Sequence, residues 1–265
     1  MAKSSIYIDT HTHIYDKAFS GEEKSIIEKA LSAGVGMLLQ PDIDRSERQA
    51  MKNVYKLRPD VIRNMSGLYP GSVKENWESE VAEVEDYAHL EEVVAIGEVG
   101  LDYHYSADSA DLQQKAFRAQ LEIADKLNLP VNIHLREATE DFFKVLEECK
   151  GLSLRGNLHA FSGSAETFRR ACKYGDWMIG VGGVVTFKNA GLAEAVKQIP
   201  LDRILLETDA PYLTPTPFRG KRNDSSFIPL IAAKIAELKG VSIDEVAEVT
   251  TENAVRMFNL KKFSI

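Results

Sequence analysis

Apolar and polar positions along this chain follow a repeating two-part rhythm, a short apolar run and then a longer stretch with helical spacing. The first run, Ile6-Tyr7-Ile8, ends in Asp9-Thr10-His11-Thr12-His13. Ser20 with Glu23 three residues on reads as a capping box, opening a helix through Ile26, Ile27, Ala30 and Leu31 that stops at Gly34. Residues 35–39 then form a buried strand ending at Pro41. The alternation continues with a helix over 42–57, a strand over 61–69, a helix over 73–90 and a strand over 93–98. A helix over 111–127, a strand over 131–134, a helix over 137–149 and a strand over 154–159 come next. The pattern closes with a helix over 165–174, strand 177–181, helix 192–198, strand 203–208 and the helices 227–239 and 243–258.

That makes eight strands, each followed by a helix, with no compositional break to mark a linker. Several strands are apolar almost throughout (Val35-Gly36-Met37-Leu38-Leu39, Val93-Val94-Ala95-Ile96), as in parallel strands covered on both faces. The expected fold is α/β, a closed (β/α)8 TIM barrel forming one domain over 1–265. No Gly-x-Gly-x-x-Gly follows the first strand, which counts against a dinucleotide-binding sheet.

Composition narrows the class. With 265 residues, 44% of them hydrophobic, the chain can bury one substantial core. No apolar run reaches membrane-spanning length, and Met1–Ser5 lacks the start of a signal peptide. Cys149 and Cys172 fall in predicted helices outside every motif, which suits reduced thiols and a cytoplasmic protein. The net charge of −8 means that a polyanionic substrate would have to be met by a local basic patch or by metal ions.

Barrels of this kind build their sites at the C-terminal ends of the strands. His11 and His13 end the first strand, Glu98 the fourth, His134 the fifth, His159 the sixth and Asp209 the eighth. His11 and His13, two apart on an extended strand, would share a face. Six ligands exceed what one catalytic tetrahedral ion takes, since it keeps a position open for water. Two divalent ions bridged by Glu98 fit better, His11, His13 and Asp209 holding one and His134 and His159 the other. Magnesium, manganese and zinc are the candidate ions. Arg136 and the loop Phe218-Arg219-Gly220-Lys221-Arg222 supply positive charge beside this set, with Tyr103, Phe161, Tyr212 and Phe218 as rim aromatics. His104 is at most a rim residue.

The His-x-His start, Gly97-Glu98-Val99-Gly100-Leu101-Asp102, His134-x-Arg136, His159-x-Phe161-Ser162-Gly163 and Glu207-Thr208-Asp209-Ala210-Pro211 occur in this order. They resemble the TatD-type metal-dependent deoxyribonucleases of the amidohydrolase superfamily. The likeness runs from Ile8 to the C-terminal helices and takes in residues 185–190 and 219–223. It implies that Glu98 bridges two metals, that Asp209 is both ligand and proton acceptor, and that the activity is 3′–5′ hydrolysis of single-stranded DNA ends. Hydrolysis of D-aminoacyl-tRNA esters on the same site is the alternative, and a non-catalytic metal- or partner-binding barrel the third possibility. No membrane and no obligate protein partner is expected. Thr12 and Ala160 stand where many relatives carry cysteine, and Asp224-Ser225 where the usual pair is Glu-Pro.

Overall fold

The computed structural model describes residues 6–104, 108–188 and 190–260. Met1–Ser5 and Asn189 of the 185–190 motif lie outside them. Eight strands are described: β1 (Tyr7–Asp9), β2 (Val35–Gln40), β3 (Ile62–Ser66), β4 (Val93–Asp102), β5 (Val131–Arg136), β6 (Arg155–Leu158), β7 (Asp176–Val181) and β8 (Ile204–Leu206). They pair in sequence order, every neighbour parallel. The helices between them are α1 (Glu23–Ser32), α2 (Arg45–Tyr55), α3 (Trp77–Ala88), α4 (Ala110–Leu127), α5 (Thr139–Glu148), α6 (Ala165–Ala171) and α7 (Leu192–Gln198). After β8 come α8 (Ile228–Lys239) and α9 (Ile243–Met257).

Backbone hydrogen bonds from Thr10 to Leu206 (3.0 Å), Asp209 to His11 (2.9 Å) and His13 to Ala210 (2.8 Å) join the two ends of the sheet. The TIM-barrel expectation holds, and the helices sit close to their predicted ranges. The capping box does not form. Ser20 closes a 3₁₀ turn over Lys17–Phe19, and α1 starts after Glu22 without a side-chain cap. Glu23 instead accepts from the Gly21 N–H.

The pleat sorts the core into two parts. Outward residues such as Leu38, Ile96, Ile133, Leu158, Trp177 and Ile179 pack under the helices. Inward residues Ile8, Met37, Leu39, Met65, Ala95, Met178 and Leu205 fill the bottom of the barrel against Met257 and Phe258 of the α9 end. Each such fully buried Ile, Leu, Met or Phe side chain contributes about 1.5–3 kcal/mol. One turn of the pleat higher, the inward positions become polar: Asn132 on β5, Asn157 on β6 and Glu207 beyond β8, all fully buried, with Gly180 on β7. This middle layer carries the site.

A candidate metal centre at the barrel mouth

β1 stops at Asp9, and the chain bends at Thr10–His11 before Thr12 bridges to Ala210. The histidines therefore sit beyond the strand, not on it as expected from the i, i+2 spacing. Asp9 causes the break. Its buried carboxylate accepts from the Thr208 N–H (3.0 Å), the Thr208 hydroxyl (2.6 Å) and the His11 N–H (3.3 Å), knitting β1 to β8. Burial, only partly offset by these donors, raises the Asp9 pKa to about 6. Beyond the bend, His11 and His13 still converge, with Nε2 atoms 3.1 Å apart.

Glu98 reaches the interior because the β4–β5 register slips between Ile96 and Val99, and such slips re-aim side chains. Its backbone is clamped by Asp42, whose C=O accepts from the Glu98 N–H and whose N–H donates to the Gly97 C=O, both at 3.0 Å. Gly67 lies flat on that peptide. A Cβ there would come within 2.5 Å of the Gly97 carbonyl carbon. Asp209 sits in the left-handed region (φ 56°), which a short polar side chain tolerates.

These elements bring all six expected residues together. Oε1 of Glu98 lies 2.8 Å from His134 Nδ1 and 3.0 Å from His159 Nε2, which are 3.1 Å from one another. Oε2 of the same carboxylate lies 3.3 Å from His11 Nε2 and 3.8 Å from His13 Nε2. Asp209 Oδ1 closes the second group, 3.3 Å from His13 Nε2 and 3.6 Å from His11 Nε2.

The far side of three of the four rings tells which nitrogen faces the centre unprotonated. His11 Nδ1 meets the Asn132 amide oxygen at 2.9 Å, and that amide is oriented by its own bond to Asn157. The Tyr15 hydroxyl donates to the Pro41 C=O, so its oxygen accepts from His13 Nδ1 at 3.1 Å. Asp102 accepts from His134 Nε2 at 2.8 Å. Each partner fixes the proton on the outer nitrogen and leaves a lone pair directed inward. Lone pairs about 3 Å apart, flanked by two carboxylates, repel unless a cation lies between them. This donor set fits divalent metal ions. Both His11–Glu98–His159 and His11–His13–Asp209 group their ligand atoms closely enough to hold one.

Without a cation the charges compensate one another instead, the two carboxylates held anionic and His134 held protonated. Burial opposes the charge on Glu98, but His159, His11 and His134 hold its pKa well below the usual carboxylate range. Asp209 is likewise lowered, His13 and His11 outweighing burial. Burial, with His159 alongside, depresses His11 to about 4. His134 goes the other way, to about 9, because Asp102 and Glu98 outweigh its burial.

The basic residues are less united. Arg136 ends β5 on the exposed rim, opposite Asp102 in register. The Arg219 guanidinium stacks 4.1 Å from the Phe187 ring, and the Lys221 ammonium is 5.5 Å from the Phe218 ring. Arg222 turns away to pair with both Glu22 oxygens (3.0 and 2.7 Å) and to cover Phe19. His104 pairs at the surface with Glu137 at 2.6 Å. Sequence reasoning gave no role to Asp9, Asp102, Asn132, Tyr15 or Glu207. A signal for three of them was there: Asp9, Asn132 and Glu207 each stand two residues before a ligand candidate, at or just past the end of an apolar run or within one.

A family model described as TatD related DNase matches residues 8–259. The chain belongs to the TatD family. It is 41% identical over 254 residues to YabD of Bacillus subtilis, named an uncharacterized metal-dependent hydrolase, covering 95% of this chain and 98% of that one. It is 33% identical over 259 residues to a Pantoea vagans protein named 3′-5′ ssDNA/RNA exonuclease TatD, covering 95% and 99%. The crystal structure of the TatD homolog YjjV from Escherichia coli superposes with a TM-score of 0.87 at 27% identity, covering 98% and 100%. As a TatD-family protein this chain is a metal-dependent hydrolase. Two of its departures from the family pattern meet in space: the Ser225 hydroxyl donates to Thr12 Oγ1 at 3.3 Å. Asp224 caps the 3₁₀ turn Ser225–Phe227 and pairs with Lys29 at 2.5 Å, so this TatD loop is anchored without the proline.

Proposed function

We propose that this chain is a phosphodiester hydrolase using two divalent ions to remove nucleotides from 3′ ends of single-stranded DNA, in the cytoplasm. The observation that carries this reading is the division of Glu98, whose two oxygens face two different groups of histidines. A carboxylate placed in this way suits two ions roughly 3.5–4 Å apart. His11, His13 and Asp209 would hold one ion, His134 and His159 the other, and Glu98 both. When bound, the ions would polarise a phosphoryl oxygen and lower the pKa of a bound water toward neutrality.

The chain's own residues do the rest. Asp209 stays anionic at neutral pH and is partly open to solvent, which suits a proton acceptor. Glu98 and Asp209 offset the charge of the ions. Arg136, Arg219 and Lys221 lie on the rim, where a phosphate backbone would pass. Tyr212, 54% exposed and anchored by its hydroxyl to Asp16, offers a fixed face for a base. Arg222, held by Glu22, is left out of this group. The printed name of the Pantoea relative supports a single-stranded nucleic acid with 3′–5′ polarity. The two cysteines, both free, support the compartment.

The test is an activity panel on metal-stripped protein with magnesium, manganese or zinc restored singly. Single-stranded DNA should be degraded from the 3′ end only with metal present. Deacylation of D-aminoacyl-tRNA or hydrolysis of RNA, with single-stranded DNA untouched, would overturn the substrate assignment.

A further inference from the structure

Three of the four histidines at the mouth have a partner on the nitrogen that faces away from the centre, at 2.8 to 3.1 Å. His159 is the exception. Its Nε2 faces Glu98 and His134, so the ring proton belongs on Nδ1, yet Nδ1 is buried with no hydrogen-bond partner. The carboxylate beside it is Glu207, whose Oε1 lies 3.9 Å away. Glu207 is itself fully buried in the middle layer, takes one N–H from Ala160, and leaves Oε2 without a partner. The recess that holds it exists because β7 carries glycine at 180. A Cβ there would stand 1.9 Å from Glu207 Oε2. Asp9, the other buried carboxylate at the β8 end, is by contrast fully engaged with three donors. A buried donor without a partner and a buried carboxylate with one unused oxygen, whose other, Ala160-bound oxygen lies 3.9 Å from that donor, are costly apart and compatible together.

We propose that Glu207 is the positioning residue of His159: its carboxylate holds the Nδ1 proton, fixes the tautomer, and thereby keeps the Nε2 lone pair on the second ion. This rests on the two-ion reading above. It makes the centre complete, each histidine having one outer partner from a different element.

The test uses the full chain loaded with zinc and labelled with ¹⁵N-histidine, beside Glu207→Gln and Glu207→Asp. In the wild type, His159 should carry its proton on Nδ1, with a downfield signal protected from solvent exchange. In Glu207→Gln that signal should move upfield and exchange faster. Competition titration should find the second of two ions bound about 10–100-fold more weakly and the first unchanged. Glu207→Asp should retain more of that affinity than Glu207→Gln, which a purely structural role would not give. An unprotonated Nδ1 in the wild type overturns the proposal even if neither variant folds. So does a folded Glu207→Gln with unchanged signal and affinity. A wild type that binds fewer than two ions in the same titration instead sinks the two-ion reading.

Discussion

In the pocket of His11, His13 and Asp209 the ligand candidates come from one seam, where β1 meets β8. The Asp9 clamp fixes that seam, and Asn132 and Tyr15 fix the two rings. In the pocket of His134 and His159 they come from two further strands and reach Glu98 from a third. There the outer nitrogen of one ring is tied to Asp102, and that of the other has no hydrogen-bond partner. The two pockets share a carboxylate but not a degree of preorganisation. The first is held by backbone pairing and can be rigid before any ion arrives. Both draw on the inward-facing polar layer beneath them, the first through Asn132 and the second, on the proposal above, through Glu207.

Perturbations can break or sharpen this contrast. The largest effect is expected from Asp209→Asn, which removes an anion from the first pocket together with the proposed proton acceptor. Turnover on single-stranded DNA should fall by about 10²–10⁴-fold with the circular-dichroism spectrum unchanged. Turnover near that of the wild type would remove Asp209 from the chemistry. Asn132→Ala comes next. It leaves His11 Nδ1 without its acceptor and should weaken ion binding in the first pocket by about 10–100-fold, read by chelator competition. If the second pocket weakens instead, the two are not as separable as the geometry indicates. The smallest effect is expected on the rim. Arg222→Ala should leave KM and the salt dependence of DNA binding unchanged because Glu22 already engages that guanidinium, whereas Arg219→Ala should lower the salt slope by about one. A slope unchanged in both variants would return the whole loop to solvated surface, and one lowered equally in both would restore Arg222 to the phosphate contacts.

Much of this was legible in the sequence because strand-end position carries meaning in a parallel barrel. His11, His13, Glu98, His134, His159 and Asp209 could be picked out one by one. Their convergence followed from the fold alone. What escaped was whatever depends on distant pairing. Asp9 acts through Thr208, and Asn132 acts through His11, partners 199 and 121 residues apart in sequence. Arg222 sits in a basic run that reads as a phosphate site, and only the fold shows that Glu22 lies beside it. Ser20 and Glu23 have the spacing of a capping box, but Ser20 is already used to end the preceding turn. Local spacing found the candidate ligands; register and topology decided what lies against them.

The shared carboxylate is where the two pockets stand or fall together. Two divalent ions held mainly by neutral imidazoles would repel strongly in so buried a cleft, so the anionic bridge matters beyond its count as one ligand. The direct measurement is metal content of wild type and Glu98→Ala after dialysis at matched free metal, with circular dichroism to establish folding. Two ions per wild-type chain and less than one in the variant are expected. A folded Glu98→Ala that still holds two ions would contradict the bridge.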